Sequence, residues 1–322
     1  MDSSRKRFVR LTAAGTATAL LLSVLATATR AQNCCAPAVP QQGVMGETVA
    51  LPNVLDIGLH YEYLRSRQMR DCCGPVDDPA NTRSDWKRVT LTLSYGVIPR
   101  LSLGAVLPYL WKEKTRAVAG RDIALASDGI GDITAVVRFS LIERSFVNYR
   151  ELSVGAGVKI PTGATDREQF NTLLAQELQP GTGSWDFLTS LSFYQGFEPV
   201  DFYLSGTYVR TGEYEKYRFG NHLSYALTAN LHLHQRLDLV GRITGSVLAR
   251  DRYDGNEVDN TGRHQVWFSP GLQWQAVPIY LRLHAFFEQP LYQNFKGHQL
   301  GSDYNLRLSA TFSIPLASSE ED

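Results

Sequence analysis

The chain has 322 residues, with 32 Lys plus Arg balancing 32 Asp plus Glu, so its formal net charge is zero. That balance speaks against a nucleic-acid binder, which carries a basic excess, and a hydrophobic content of 43% is too high for disorder. A mean hydropathy of −0.19 excludes a bundle of membrane helices, while 15 Tyr, 14 Phe and 26 Gly beside 3 Met favour strands and turns.

The first element is a secretory signal over residues 1–31. Arg5, Lys6, Arg7 and Arg10 supply the positive start, Leu11 to Leu25 the apolar run, and Thr29-Arg30-Ala31 the small residues of a cleavage site. The mature chain is then expected to begin near Gln32, outside the cytosol. Residues 32–53 form a Pro-containing segment, either periplasmic or acting as a plug.

From Val54 to Leu316 apolar and polar residues alternate with period two, as strands between two different environments require. Leu55, Ile57, Leu59, Tyr61 and Tyr63 share one face of the first strand, with Asp56, Gly58, His60 and Glu62 on the other. The pattern recurs from Val89, Leu101, Ile133, Leu152, Trp185, Phe202, Leu223, Leu237, Val266, Ile279 and Tyr304, which makes twelve strands. Short turns such as Ile98-Pro99-Arg100 and Gln235-Arg236 alternate with long polar segments at 64–86, 112–128, 161–184, 210–218, 249–263 and 288–302. Short turns on one side and long loops on the other characterise a bacterial outer-membrane barrel. The aromatics sort accordingly. Tyr61, Tyr63, Tyr109, Trp111, Trp185, Phe187, Tyr208, Phe219, Phe287 and Tyr304 fall at the loop-side ends. Tyr95, Phe139, Phe193, Trp274 and Phe312 fall at the turn-side ends. Two such girdles suit rings at the two headgroup layers. The predicted fold is therefore all-β: a closed antiparallel transmembrane β-barrel over residues 54–316, with short periplasmic turns, long extracellular loops and an acidic tail at 317–322.

Several motifs resemble a family of outer-membrane proteins named after the meta-pathway of phenol degradation. They are Leu107-Pro108-Tyr109, Gly129-Ile130-Gly131-Asp132 with Arg138-Phe139, and Gly157-Val158-Lys159-Ile160-Pro161-Thr162-Gly163. Gly181-Thr182-Gly183-Ser184-Trp185-Asp186 and Glu288-Gln289-Pro290-Leu291-Tyr292 complete the set. The resemblance implies an outer-membrane barrel of a Gram-negative-type bacterium, often described as a transporter or channel, and no phenol-cleaving activity. It implies small, apolar or aromatic solutes. One departure is the chain end, where Phe312 is followed by Ser-Ile-Pro-Leu-Ala and the acidic tail rather than closing the chain as a terminal aromatic.

Parity places Arg138, Lys159, Arg242, Arg282 and Arg307 on the inward face, with Asp56, Glu62, Asp132, Asp186, Asp238 and Glu288 as the acids. Asp132, Lys159 and Asp186 fall near the loop-side ends of neighbouring strands and are expected to form a charged cluster at the outer mouth. It reads as a structural ion-pair network or as a selectivity element; charges in a narrow lumen favour pairing, hence the network. Four cysteines form two vicinal pairs, Cys34-Cys35 and Cys72-Cys73. Secretion makes disulfides possible, within each pair, between molecules, or between the pairs if residues 36–53 thread the lumen. The spacing is not that of a usual zinc site, and neither cofactor nor metal is expected. An outer-membrane lipid hydrolase could draw on His222 and Ser224. Their inward parity holds them away from acyl chains, so no catalytic residue is assigned. The expected partners are outer-membrane lipid and a small solute. Two functions stay in view: a passive channel, and a structural or partner-binding barrel with a closed lumen.

Overall fold

A computed structural model describes residues 49–72, 74–144 and 149–316. The signal segment, most of residues 32–53, Cys34, Cys35, Cys73 and the acidic tail lie outside them. The strands are β1 (Val54–Cys72), β2 (Arg83–Ile98), β3 (Leu101–Val118), β4 (Arg121–Ile130), β5 (Ile133–Ile142) and β6 (Arg150–Ile160). There follow β7 (Asp186–Phe197), β8 (Val200–Arg210), β9 (His222–His234), β10 (Leu237–Leu248), β11 (Arg263–Val277) and β12 (Leu281–Pro315). All neighbours pair antiparallel, and β12 pairs with β1 from Val54↔Pro315 to Cys72↔Phe295, which closes the ring.

Twelve passes arise from eleven continuous ring strands, because β12 reverses. Its first limb pairs with β11 up to Arg263↔Phe295, and its second pairs with β1 from Phe295 onward. Since β11 descends and β1 ascends, the chain must turn between these limbs, and Gly297 carries a φ of +89° there. Strands β4 and β5 make a single descending pass along β3, broken at Gly131-Asp132.

The barrel is inside out relative to a soluble protein. Leu59, Leu103, Leu191, Leu204, Leu272 and Leu308 are exposed, whereas Thr92, Ser102, Thr134, Ser153, Thr228 and Ser269 are buried. Hydrocarbon offers backbone groups no hydrogen-bond partner, so a closed ladder with apolar side chains outward is the stable solution. Both aromatic girdles stand on this outer face, from Trp111, Trp185, Phe187 and Tyr208 on the loop side to Phe139, Phe193, Trp274 and Phe312 on the turn side. Phe219 is a correction: it is buried and packs on Tyr217 at a centroid distance of 5.0 Å, away from the girdle.

The long segments are also less loop-like than the alternation suggests. Residues 112–118 and 121–128 continue the β3–β4 ladder, and 288–302 is strand throughout. Beyond the lipid neither face of a hairpin meets hydrocarbon, so backbone pairing persists while apolar alternation stops. The stretch Lys112-Glu113-Lys114-Thr115-Arg116 shows this change.

Candidate functional site: the lumen and its outer clasp

The glycine and acid motifs converge in space. Asp132 follows the break between β4 and β5, Lys159 ends β6, and Asp186 opens β7; register sets Thr134 against Lys159 and Lys159 against Asp186. Lys159 Nζ lies 3.1 Å from Asp132 Oδ2 and 2.6 Å from Asp186 Oδ2. Asp132 Oδ1 accepts the Gly163 N–H at 3.0 Å, and Oδ2 accepts the Thr182 N–H at 2.9 Å and its hydroxyl at 2.7 Å. Asp186 Oδ1 accepts Ser184 Oγ–H and the Gly212 N–H, both at 2.9 Å. All three charged side chains are buried, and each carboxylate has neutral donors in addition to the ammonium, the condition under which buried charge is tolerated.

Gly163 and Gly181 explain the glycines of these motifs. A Cβ on Gly181 would stand 2.2 Å from the Gly163 carbonyl oxygen, so the two backbones meet only because neither has a side chain. The clasp pins the segment between β6 and β7, which turns inward. Leu174, Leu178 and Gln179 are buried, and Lys112, 2% exposed, donates to the carbonyls of Glu177 (2.9 Å) and Gln179 (2.7 Å).

A second network crosses the lumen elsewhere. Glu62 pairs with Arg88 and, at 3.4 Å, with Arg307, which also reaches Glu288 at 3.3 Å. Asn305 Nδ2 donates to Glu62 Oε1 at 2.7 Å and to Glu288 Oε2 at 2.6 Å. This ties β2, β1 and both limbs of β12 across the closing seam of the barrel. Arg242 is buried elsewhere in the lumen, donating to Thr228 Oγ1 at 3.0 Å with its guanidinium 4.6 Å from the Phe286 ring centre. Arg138 is half-buried in register with Ser102 and Gly155. Arg282 stands exposed at the turn-side end, opposite Gln275. Thus Asp132, Lys159 and Asp186 come together, as do Glu288 and Arg307.

Two residues escaped sequence reasoning. Arg88 shares the inward parity of Thr90 and Thr92 and sits opposite Glu62, so parity extended two residues upstream would have found it. Lys112 lay in a segment read as loop, and nothing in its sequence neighbourhood announces carbonyl partners 65 residues away. His222 and Ser224 are both buried on the lumen face, enclosed by the barrel and separated from the acyl chains a lipid hydrolase would attack. Of the cysteines only Cys72 is among the described residues; it is exposed near the loop-side end of β1, with a φ of +48°.

Beside the second network lies a cavity of about 140 Å³, walled by Trp86, Trp267, Leu110, Leu248 and Leu300 together with polar groups. A smaller one of about 50 Å³ borders the clasp and shares Arg88, Leu110 and Leu248 with the first.

Residues 83–300, about two thirds of the chain, match the family model described as "Putative MetA-pathway of phenol degradation". No curated protein matches. Among solved structures, an outer membrane channel from Pseudomonas putida F1 is similar at 13% identity and a TM-score of 0.66, covering 86% of this chain and all of that one. The β domain of the Bordetella autotransporter BrkA is similar at 8% identity and a TM-score of 0.50, covering 80% of this chain and 99% of that one. The shared fold is the closed barrel of the Gram-negative outer membrane, and this chain is such a barrel.

Proposed function

Because the chain belongs to the family described as "Putative MetA-pathway of phenol degradation" and encloses a polar lumen in an apolar-faced barrel, we propose that it is an outer-membrane channel for passive uptake of small apolar or aromatic solutes. The observation that carries this reading is the cavity inside the closed ring, where Trp86 and Trp267 offer ring faces beside polar groups. The similar fold of the outer membrane channel from Pseudomonas putida F1 supports it. The inward residues Asp132, Arg138, Lys159, Asp186, Arg242, Glu288 and Arg307 line that path in this reading, and Arg282 its periplasmic mouth.

A second reading, a structural barrel with a closed lumen, is favoured by one feature: the 161–184 segment and the Glu62–Arg88–Arg307–Glu288 network both occupy the interior. Planar-bilayer recording separates them. The channel reading expects discrete current steps; silence at every voltage would leave the closed barrel.

The N-terminus is part of the proposal. With residues 1–31 removed as a signal, the segment 32–53, of which 32–48 lie outside the described residues, is periplasmic or a plug in this reading. Support comes from Val49, whose N–H donates to Glu151 Oε1 at 2.9 Å although Glu151 stands on β6, four strands around the ring from β1. Residues 36–53 could span about 60 Å when extended, enough for Cys34-Cys35 to bridge to Cys72-Cys73. Non-reducing peptide mapping that returned only bridges within each pair would remove the cross-barrel link.

A further inference from the structure

The larger cavity has a composition that selects among small solutes. Register arranges its walls in rows. On one side His222, Leu248 and Arg263 lie level across β9, β10 and β11, with Ser224, Ser246 and Gln265 in the next row. Facing them, Leu64, Trp86 and Lys112 lie level across β1, β2 and β3, with Glu62, Arg88 and Leu110 in the next row.

Three observations bear on what fits there. The first is size: about 140 Å³ is close to the ~150 Å³ that accommodates a benzene ring in an engineered protein cavity. The second is charge: among the described residues Arg88, Lys112, Arg263 and Arg307 line it together with the acid Glu62, while Lys87 is exposed on the outward parity of β2. Arg88 and Arg307 are balanced by Glu62 and Glu288, but Lys112 is held by neutral carbonyls and the Trp86 ring face, 4.9 Å away. The third is His222. It is 6% exposed and lines this cavity, and among the described residues neither ring nitrogen has a hydrogen-bond partner. A buried imidazole without partners carries a desolvation cost that a hydrogen-bonding guest would relieve.

We propose that this cavity is a binding site for a single-ring aromatic carboxylate, its ring against Trp86 and Trp267 and its carboxylate taken by His222 in the field of Arg263 and Lys112. A ring face satisfies the aromatic walls, an anion answers the positive lining, and a carboxylate accepts the imidazole N–H through a charge-assisted bond. The inference deepens the channel reading, on which it rests for treating the site as a station along a path.

Benzoate is the probe, added to the full chain in detergent with tryptophan fluorescence as readout, beside benzyl alcohol (ring without charge) and acetate (charge without ring). Saturable quenching by benzoate, at least about tenfold tighter than by either control, is expected. His222→Gln and His222→Phe should each weaken benzoate by about tenfold or more while keeping the wild-type melting temperature. Benzyl alcohol binding as tightly as benzoate, absence of saturable benzoate binding, or wild-type affinity in both folded variants would overturn the assignment. A protein that conducts in bilayers but ignores benzoate defeats this site and spares the channel; one that binds benzoate without conducting does the opposite.

Discussion

At the scale of single residues, the decisive variable is what each side chain faces. Lys159 sits between two buried carboxylates, so Lys159→Met leaves Asp132 and Asp186 facing each other without a cation. Removing one partner of a buried ion pair costs about 3–5 kcal/mol, and urea unfolding in lipid vesicles should show a loss of that order; a loss below about 1 kcal/mol, the range of exposed pairs, would mean the clasp is solvated. Gly181→Ala places a methyl against the Gly163 carbonyl and should destabilise by about 1–3 kcal/mol. Gly241→Ala meets no atom within 4 Å and serves as the neutral comparison in the same assay. On the outer face Leu59, 53% exposed, looks into hydrocarbon. Leu59→Arg should cost about 2–4 kcal/mol relative to Leu59→Ala. Its neighbour Gly58 makes a poor inward control, because any side chain there begins 2.3 Å from Thr92 Oγ1. The outward or inward identity of these residues was readable from parity. The contacts of Gly58 and Gly181 were not, because they depend on which strands become neighbours.

At the scale of elements, the sequence carries the membrane-spanning part of each strand and loses the rest. Alternation exists because lipid and lumen differ; it located Val89–Tyr95 and Leu101–Trp111, and it stopped where β3 and β4 rise beyond the bilayer and neither face meets hydrocarbon. The same limit hid the inward course of residues 161–184, held by Lys112 and Ser127 through backbone carbonyls, a type of partner with no sequence signature. On the turn side, His232 bridges strands: Nδ1 lies 2.8 Å from Asp238 Oδ1 and Nε2 3.1 Å from Asp201 Oδ2. Its backbone N–H bonds to the Pro199 carbonyl in the β7–β8 turn, so the ring stands at the periplasmic rim, outside the hydrocarbon. The hydrogen bond to Asp238 raises its pKa above the ordinary histidine value, with Asp201 adding to the effect against an opposing desolvation. A raised pKa in the folded state contributes stability below the unfolded value near 6.5 that is lost as pH climbs through the folded one. The melting temperature of the wild type should therefore fall relative to that of His232→Gln as pH rises through this window, and parallel curves would show that the bridge does not titrate.

At the scale of the whole molecule, one arrangement organises everything above: apolar side chains turned out to lipid around an enclosed polar interior. It explains why a chain with no net charge can bury so many charged groups, since each faces a lumen where partners and water are available. Three of the family motifs, Gly129–Asp132, Gly157–Gly163 and Gly181–Asp186, meet at the barrel's loop-side end in the clasp. Alternation, turn lengths and aromatic placement make this arrangement legible in the sequence, because all three are direct consequences of the bilayer. How full the interior is was not legible, since strand number alone fixes the ring and leaves its contents open. The most direct test is spin-label accessibility along β10, with the native cysteines replaced by serine. Labels at Leu239, Ile243 and Val247 should be reached by oxygen, which partitions into lipid, and those at Thr244 and Ser246 by a water-soluble paramagnetic chelate. The inverse pattern, or accessibility without a period of two, would contradict the barrel's orientation and with it the channel.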